Sequence, residues 1–116
     1  MTHIKVKTSD LTGAALDWAV AKCIGFEGWI PERDWKLWRP EKYSTNWAQG
    51  GPIIERLDGF ELKIWLEASA RTKCEAHIHN YFGDWIMFGP TPLNAAMRCY
   101  VASKLGDEVE IPSELI

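Results

Sequence analysis

The sequence predicts an α+β fold: an antiparallel sheet of three to four strands packed against two helices, with one long tryptophan-rich loop. Three observations carry this reading. FELKIWLEA (60–68) alternates apolar with charged or polar-facing residues at the period of two of a half-buried strand. GPTPLNAAMRCYVASKLGDE (89–108) repeats apolar residues at helical spacing between a capping threonine and a terminating glycine. The links between the strand segments are too short for parallel crossovers, so the strands form an antiparallel meander.

The elements follow in order. HIKVKTS reads as a short strand with Ile4 and Val6 on one face and Lys5 and Lys7 on the other. A helix comes next, capped by Asp10 or Thr12 and closed by Gly25. Leu16, Ala19, Val20 and Cys23 form its apolar face, and Leu11, Ala15 and Trp18 widen that face enough to place Trp18 in the core. Residues 26–52 read as a long irregular loop, a length that often marks function. Its end, NWAQGGP, leads into a short turn or helix at IIERL, and Asp58-Gly59 turns the chain.

In the first meander strand Phe60, Leu62, Ile64 and Leu66 point inward. In KCEAHIHNYF, Cys74, Ala76 and Ile78 alternate against Glu75, His77 and His79. Gly83-Asp84 is the expected turn before a third strand, WIMF. The second helix has Thr91 as N-cap, Pro92 at its first position, a stripe of Leu93, Met97, Tyr100 and Val101 with Ala96 beside it, Lys104 near its end and Gly106 as its stop. Residues 106–116 read as an extended or frayed acidic tail.

A length of 116 residues fits one domain, 1–116, and 47% hydrophobic with 25% charged residues is an ordinary globular balance. No apolar run approaches the ~20 residues of a membrane span, and MTHIKVKTSD lacks a signal-peptide core, so no membrane partner is expected. Cys23, Cys74 and Cys99 have no C-x-x-C spacing; free thiols in a reducing cytoplasm are expected, not a zinc knuckle or disulfides. The net charge is −3, of which the tail's Asp107, Glu108, Glu110 and Glu114 supply −4. The remaining body is nearly neutral and lacks the basic stripe of a general nucleic-acid binder.

WIPERDWKLWRPEKYSTNW (29–47) concentrates Trp29, Trp35, Trp38 and Trp47 among Arg33, Lys36, Arg39 and Lys42. Burying one indole stabilises by up to about 4–6 kcal/mol, so four of them need cover. The domain's own core, a second protomer or a flat ligand would each provide it. Indoles interleaved with cations suit a nucleobase with phosphate, each stacked base gaining roughly 1–3 kcal/mol.

Other residues fit the same chemistry, each with a plainer alternative. Asn46 and Gln49 can read hydrogen-bond patterns, and Gly50 and Gly51 let the backbone approach a ligand; the segment is otherwise a tight turn with a buried tryptophan. It lacks the Gly-Lys-Ser/Thr ending of a phosphate loop. His77 and His79 share one strand face. They fit an ordinary polar surface, an anion contact, or two ligands of a metal awaiting a third such as Glu75. Thr91 caps a helix whose N-terminus can hold phosphate, and Arg98, two turns on, is a surface charge or a phosphate contact. No Gly-x-Ser-x-Gly occurs, the cysteines read as small hydrophobes and the carboxylates are scattered, so neither a catalytic set nor a cofactor is expected.

Three segments resemble the phage NinX-like family of tailed phages and prophages: VKTSDLTGAALDWAVAKCIG (6–25), STNWAQGGPIIE (44–55) and GPTPLNAAMRCYVASKLGDEVEIPSEL (89–115). They cover about half the chain. Asn46 stands where the family commonly has Asp, and Asn94 where it commonly has an apolar residue. The resemblance implies a phage accessory protein in the bacterial cytoplasm and implies no reaction. Together with the residues above, it leads to the expectation of a non-enzymatic, homo-oligomeric counter-defence sponge that sequesters a small anionic nucleotide-derived host immune signal. Trp47, or Trp35 or Trp38 with Arg39 nearby, would stack on the base. Asn46 and Gln49 would read its edge, and Gly50, Gly51, Thr91, Arg98 and His77 or His79 would hold phosphate or ribose. The alternatives are an interaction module that inhibits a host enzyme, and a nucleotide hydrolase using His77 and His79.

Overall fold

In the computed structural model the described residues are 2–24, 41–67, 69 and 72–116. They form two antiparallel sheets and three α-helices, which corrects the expected single sheet with two helices. Strands β1 (His3–Lys7) and β5 (Glu108–Pro112) make a two-stranded ribbon. Strands β2 (Phe60–Ile64), β3 (Cys74–Asn80) and β4 (Gly83–Gly89) make a three-stranded sheet in that order. The helices are α1 (Gly13–Cys23), α2 (Trp47–Ile54) and α3 (Pro92–Leu105). A short 3-10 turn, Thr8–Asp10, joins β1 to α1.

Helix α3 is the middle layer. Leu93–Met97 and Cys99–Ala102 are all buried, so apolar residues run nearly all the way round it, as a helix covered on two sides requires. Ala95 and Cys99 pack with Cys74, Ala76 and Ile78 of β3. Leu93, Ala96, Met97 and Val101 pack with Leu16, Trp18 and Val20 of α1, with Ile53 of α2, and with Val109 and Ile111 of β5. Each fully buried Leu, Ile or Met contributes about 1.5–3 kcal/mol. The α3 start is built as its sequence suggests: Thr91 Oγ1 accepts from the Asn94 N–H at 3.1 Å, and Pro92 needs no donor at the first position. Trp18, 2% exposed, lies in the core as expected.

The third helix comes from the end of the expected loop, NWAQGGP, which read as a tight turn leading into a short turn or helix. Asn46 Oδ1 accepts from the Ala48 N–H at 2.8 Å and caps α2. Pro52 lies inside the helix. Gly50 is what seats α2 on α3, because a Cβ there would sit 2.7 Å from Leu93 Cδ1 and collide with the Tyr43 carbonyl oxygen. Close backbone approach buries Ile53, and that tertiary gain outweighs the poor helix propensity of Gly-Gly-Pro.

Two further expectations are corrected, and the tail expected to be extended or frayed is extended over Glu108–Pro112. Part of the acidic tail is paired: β5 lies against β1 with Glu108 opposite Lys7 and Glu110 opposite Lys5. Tyr81 and Phe82 form the β3–β4 turn, and Gly83 and Asp84 already belong to β4, with Asn80 opposite Gly83. Of the inward row expected in β2, Ile64 is 50% and Leu66 82% exposed, because the strand ends at Ile64. Gly25, Trp29, Arg33, Trp35, Lys36, Trp38 and Arg39 lie outside the described residues. No described helix is long and apolar enough to cross a membrane.

Candidate functional site

The three-stranded sheet turns one face to α3 and leaves the other open. Strand alternation sends Cys74, Ala76 and Ile78 inward and Glu75, His77 and His79 outward. The register sets Glu61 opposite His77 on β2, and Ile86 opposite His77 and Asp84 opposite His79 on β4. Gly59, at φ +71°, turns the chain into β2, and its carbonyl accepts from the His79 N–H at 2.9 Å, which ties β2 to this end of β3.

His77 and His79 are therefore brought together, and Asp84 joins them. His77 Nε2 hydrogen-bonds Asp84 Oδ1, and His79 Nδ1 lies 3.6 Å from the same oxygen. His77 Nδ1 lies 3.6 Å from Glu61 Oε2, and the two imidazole centroids are 5.9 Å apart. The His77 hydrogen bond, reinforced by the neighbouring imidazoles, holds the Asp84 carboxyl below the usual carboxylate range. The third candidate ligand beside the histidine pair is thus Asp84, where the sequence suggested Glu75. The sequence carried its signal: counting back across a two-residue Tyr81-Phe82 turn places Asp84 opposite His79, whereas a Gly83-Asp84 turn does not.

A separate open cleft of about 760 Å³ lies beside β4. Ser9, Ser69 and Thr72 bring hydroxyls, Asp10 a carboxylate, Arg98 a guanidinium and Phe88 an aromatic ring that is 40% exposed. Arg98 organises it: Nε donates to the Leu11 carbonyl at 2.6 Å and Nη1 to the Phe88 carbonyl at 2.7 Å, so the residue bridges the start of α1 and the outer edge of β4. Ser9 and Phe88 were not singled out in the sequence and Asp10 only as a candidate helix cap, because the chain gives no local sign that residues 9 and 88 meet.

Apart from Trp47, the remaining site candidates among the described residues are occupied by structure. Asn46 caps α2, and Gln49 Oε1 accepts from the Lys42 N–H at 2.6 Å while its amide donates to Glu41. Gly50 is a helix contact, Gly51 faces only Trp47 at 3.9 Å, and Thr91 caps α3. Trp47 is 55% exposed on α2 and so keeps its indole open. Asn94 is buried, and its Oδ1 has no hydrogen-bond partner among the described residues. Burial raises the Cys99 thiol to about 11, and it also raises the thiol of Cys74.

The profile of the family described as Bacteriophage P22, NinX matches residues 7–104, a span running from the end of β1 almost to the end of α3. The chain belongs to the NinX family. It is a phage accessory protein of that family, and the match takes in both the open histidine face and the cleft. No curated protein matches the chain.

Proposed function

We propose that this NinX-family protein is a counter-defence binder that takes up a small anionic, nucleotide-derived host immune signal in the bacterial cytoplasm and holds it unchanged. The supporting observation is the cleft beside β4. Its volume falls in the usual small-molecule range of roughly 300–1,000 Å³, and hydroxyls, a guanidinium and an open aromatic ring converge on it. Phe88 would face a base, Ser9, Ser69 and Thr72 would meet phosphate or ribose oxygens, and Asp10 would accept from ribose hydroxyls. Arg98 would supply positive charge while its hydrogen bonds to the Leu11 and Phe88 carbonyls hold the cleft's two walls together. Trp47, which does not line the cleft, would offer a second stacking surface.

The test is direct. Purified protein is incubated with cyclic nucleotides and ADP-ribose-type nucleotides, re-isolated and heat-denatured, and the released small molecules are identified. Intact nucleotide in the supernatant is the expected result, with binding weakened at least tenfold in Phe88→Ala. A chemically altered nucleotide would replace sequestration with hydrolysis, and absence of any bound nucleotide would remove the proposal.

A second reading, an interaction module acting on a host enzyme, is favoured by the β3–β4 tip. Tyr81 and Phe82 are 95% and 85% exposed and stack edge-on at 5.4 Å. Two exposed aromatics at a hairpin end are the kind of anchor a protein partner covers. Loss of host-protein capture in Tyr81→Ser/Phe82→Ser, with nucleotide binding absent in the wild type, would select this reading.

A further inference from the structure

We propose that His77, His79 and Asp84 form a surface site for one divalent transition-metal ion of the zinc class. One donor atom from each residue lies within 4.8 Å of the others. Ligand atoms on one tetrahedral zinc stand about 3.4 Å apart, given bonds of ~2.0–2.1 Å. The gap closes by side-chain rotation, since His79 and Asp84 are exposed at 70% and 56%. The backbone does not have to move: the histidines are i and i+2 on β3, and Asp84 faces His79 across a two-residue hairpin.

The arrangement around His77 is what distinguishes this cluster from a casual surface ion pair. Its Nε2 faces Asp84, and its Nδ1 faces the Glu61 carboxylate at 3.6 Å. A ligating imidazole is ordinarily oriented by a carboxylate on the side of the nitrogen away from the metal, and Glu61 stands on that side within ion-pair distance. Metal would stand between His77 Nε2 and Asp84 Oδ1 in place of their hydrogen bond, and Glu61 would keep the ring aimed. Two imidazoles and one carboxylate suit Zn²⁺, Co²⁺ or Ni²⁺ better than the all-oxygen cations Mg²⁺ and Ca²⁺. Three protein ligands leave at least one position for water or an anionic oxygen.

Untagged, chelator-treated full-length protein is titrated with Co²⁺ by visible absorption and with Zn²⁺ by calorimetry. The expected result is one saturable equivalent, with cobalt d–d bands reporting nitrogen and oxygen ligands. His79→Ala and Asp84→Asn should each weaken binding at least tenfold, Glu61→Gln should weaken it by a smaller factor, and His3→Ala should leave it unchanged. Thermal melts of the metal-free variants check that these surface changes leave the fold intact. If wild type binds no more tightly than a His77→Ala/His79→Ala variant, or if His3→Ala removes the binding, the site does not exist.

Discussion

Asp17 Oδ1 accepts two hydrogen bonds from Ser44, one from its backbone N–H at 2.9 Å and one from its hydroxyl at 2.7 Å. Both residues are buried, and the pair fastens the segment leading to α2 onto the middle of α1. Removing the acceptor in Asp17→Ala strands the Ser44 donors away from water. The expected loss is about 2 kcal/mol, read from urea unfolding.

The same carboxyl sets a pH dependence. Burial pushes its pKa above the ordinary 3.8, partly offset by the Ser44 hydrogen bonds and Lys42. Below 3.8 both folded and unfolded chains hold the proton, and the contribution is fully present. As pH rises from there through the folded value, the unfolded chain ionises more readily and the contribution is lost. Asp17→Asn keeps an oxygen for Ser44 but cannot ionise. Its stability relative to wild type should therefore climb over that rise, as measured by unfolding midpoints in a pH series. A flat difference would contradict the assignment.

Adjacent glycines in α2 should respond with opposite signs. Gly50→Ala drives a methyl into Leu93 and a backbone carbonyl that has little room to give, costing about 2–3 kcal/mol. Gly51→Ala meets nothing closer than Trp47 at 3.9 Å and gains helix propensity, worth up to about 1 kcal/mol. Thermal denaturation of the two variants side by side measures both.

This pair also shows where the sequence could and could not be read. Thr91, Pro92 and the apolar stripe of α3 state a helix locally, and β3 states its own two faces. Gly-Gly-Pro states the reverse of a helix, and only the Leu93 side chain, some forty residues on, explains why α2 forms there. The pairing of β5 was partly legible. Val109 and Ile111 alternate with Glu108 and Glu110 just as Ile4 and Val6 alternate with Lys5 and Lys7, yet their meeting depends on contacts between the two ends of the described chain. At the histidine cluster the residue types were visible, but a turn misplaced by two residues hid the role of Asp84.

Arg98 should prove structural before anything else. Lysine cannot reproduce a guanidinium that reaches the Leu11 and Phe88 carbonyls at once. Arg98→Lys should cost about 1–3 kcal/mol in chemical denaturation. Retained wild-type stability would show that the bridge carries little weight.

The buried thiols should be inert in the folded protein. Cys99 donates to the Trp85 carbonyl at 3.2 Å, and its pKa is pushed up to about 11, so little thiolate exists at pH 8. Alkylation followed by mass spectrometry should leave Cys74 and Cys99 unmodified until denaturant is added. Rapid labelling of either under native conditions would count against their packing.

The β1–β5 ribbon joins the two ends of the described chain: His3 stands opposite Pro112, and Ser113 N–H donates to the Thr2 carbonyl at 2.9 Å. Tension applied at those ends therefore loads the ribbon like an opening zip, one rung at a time from His3 towards Lys7, rather than shearing all rungs together. The molecule should yield there at low force, while the α3-backed meander stays intact until the ribbon has peeled away.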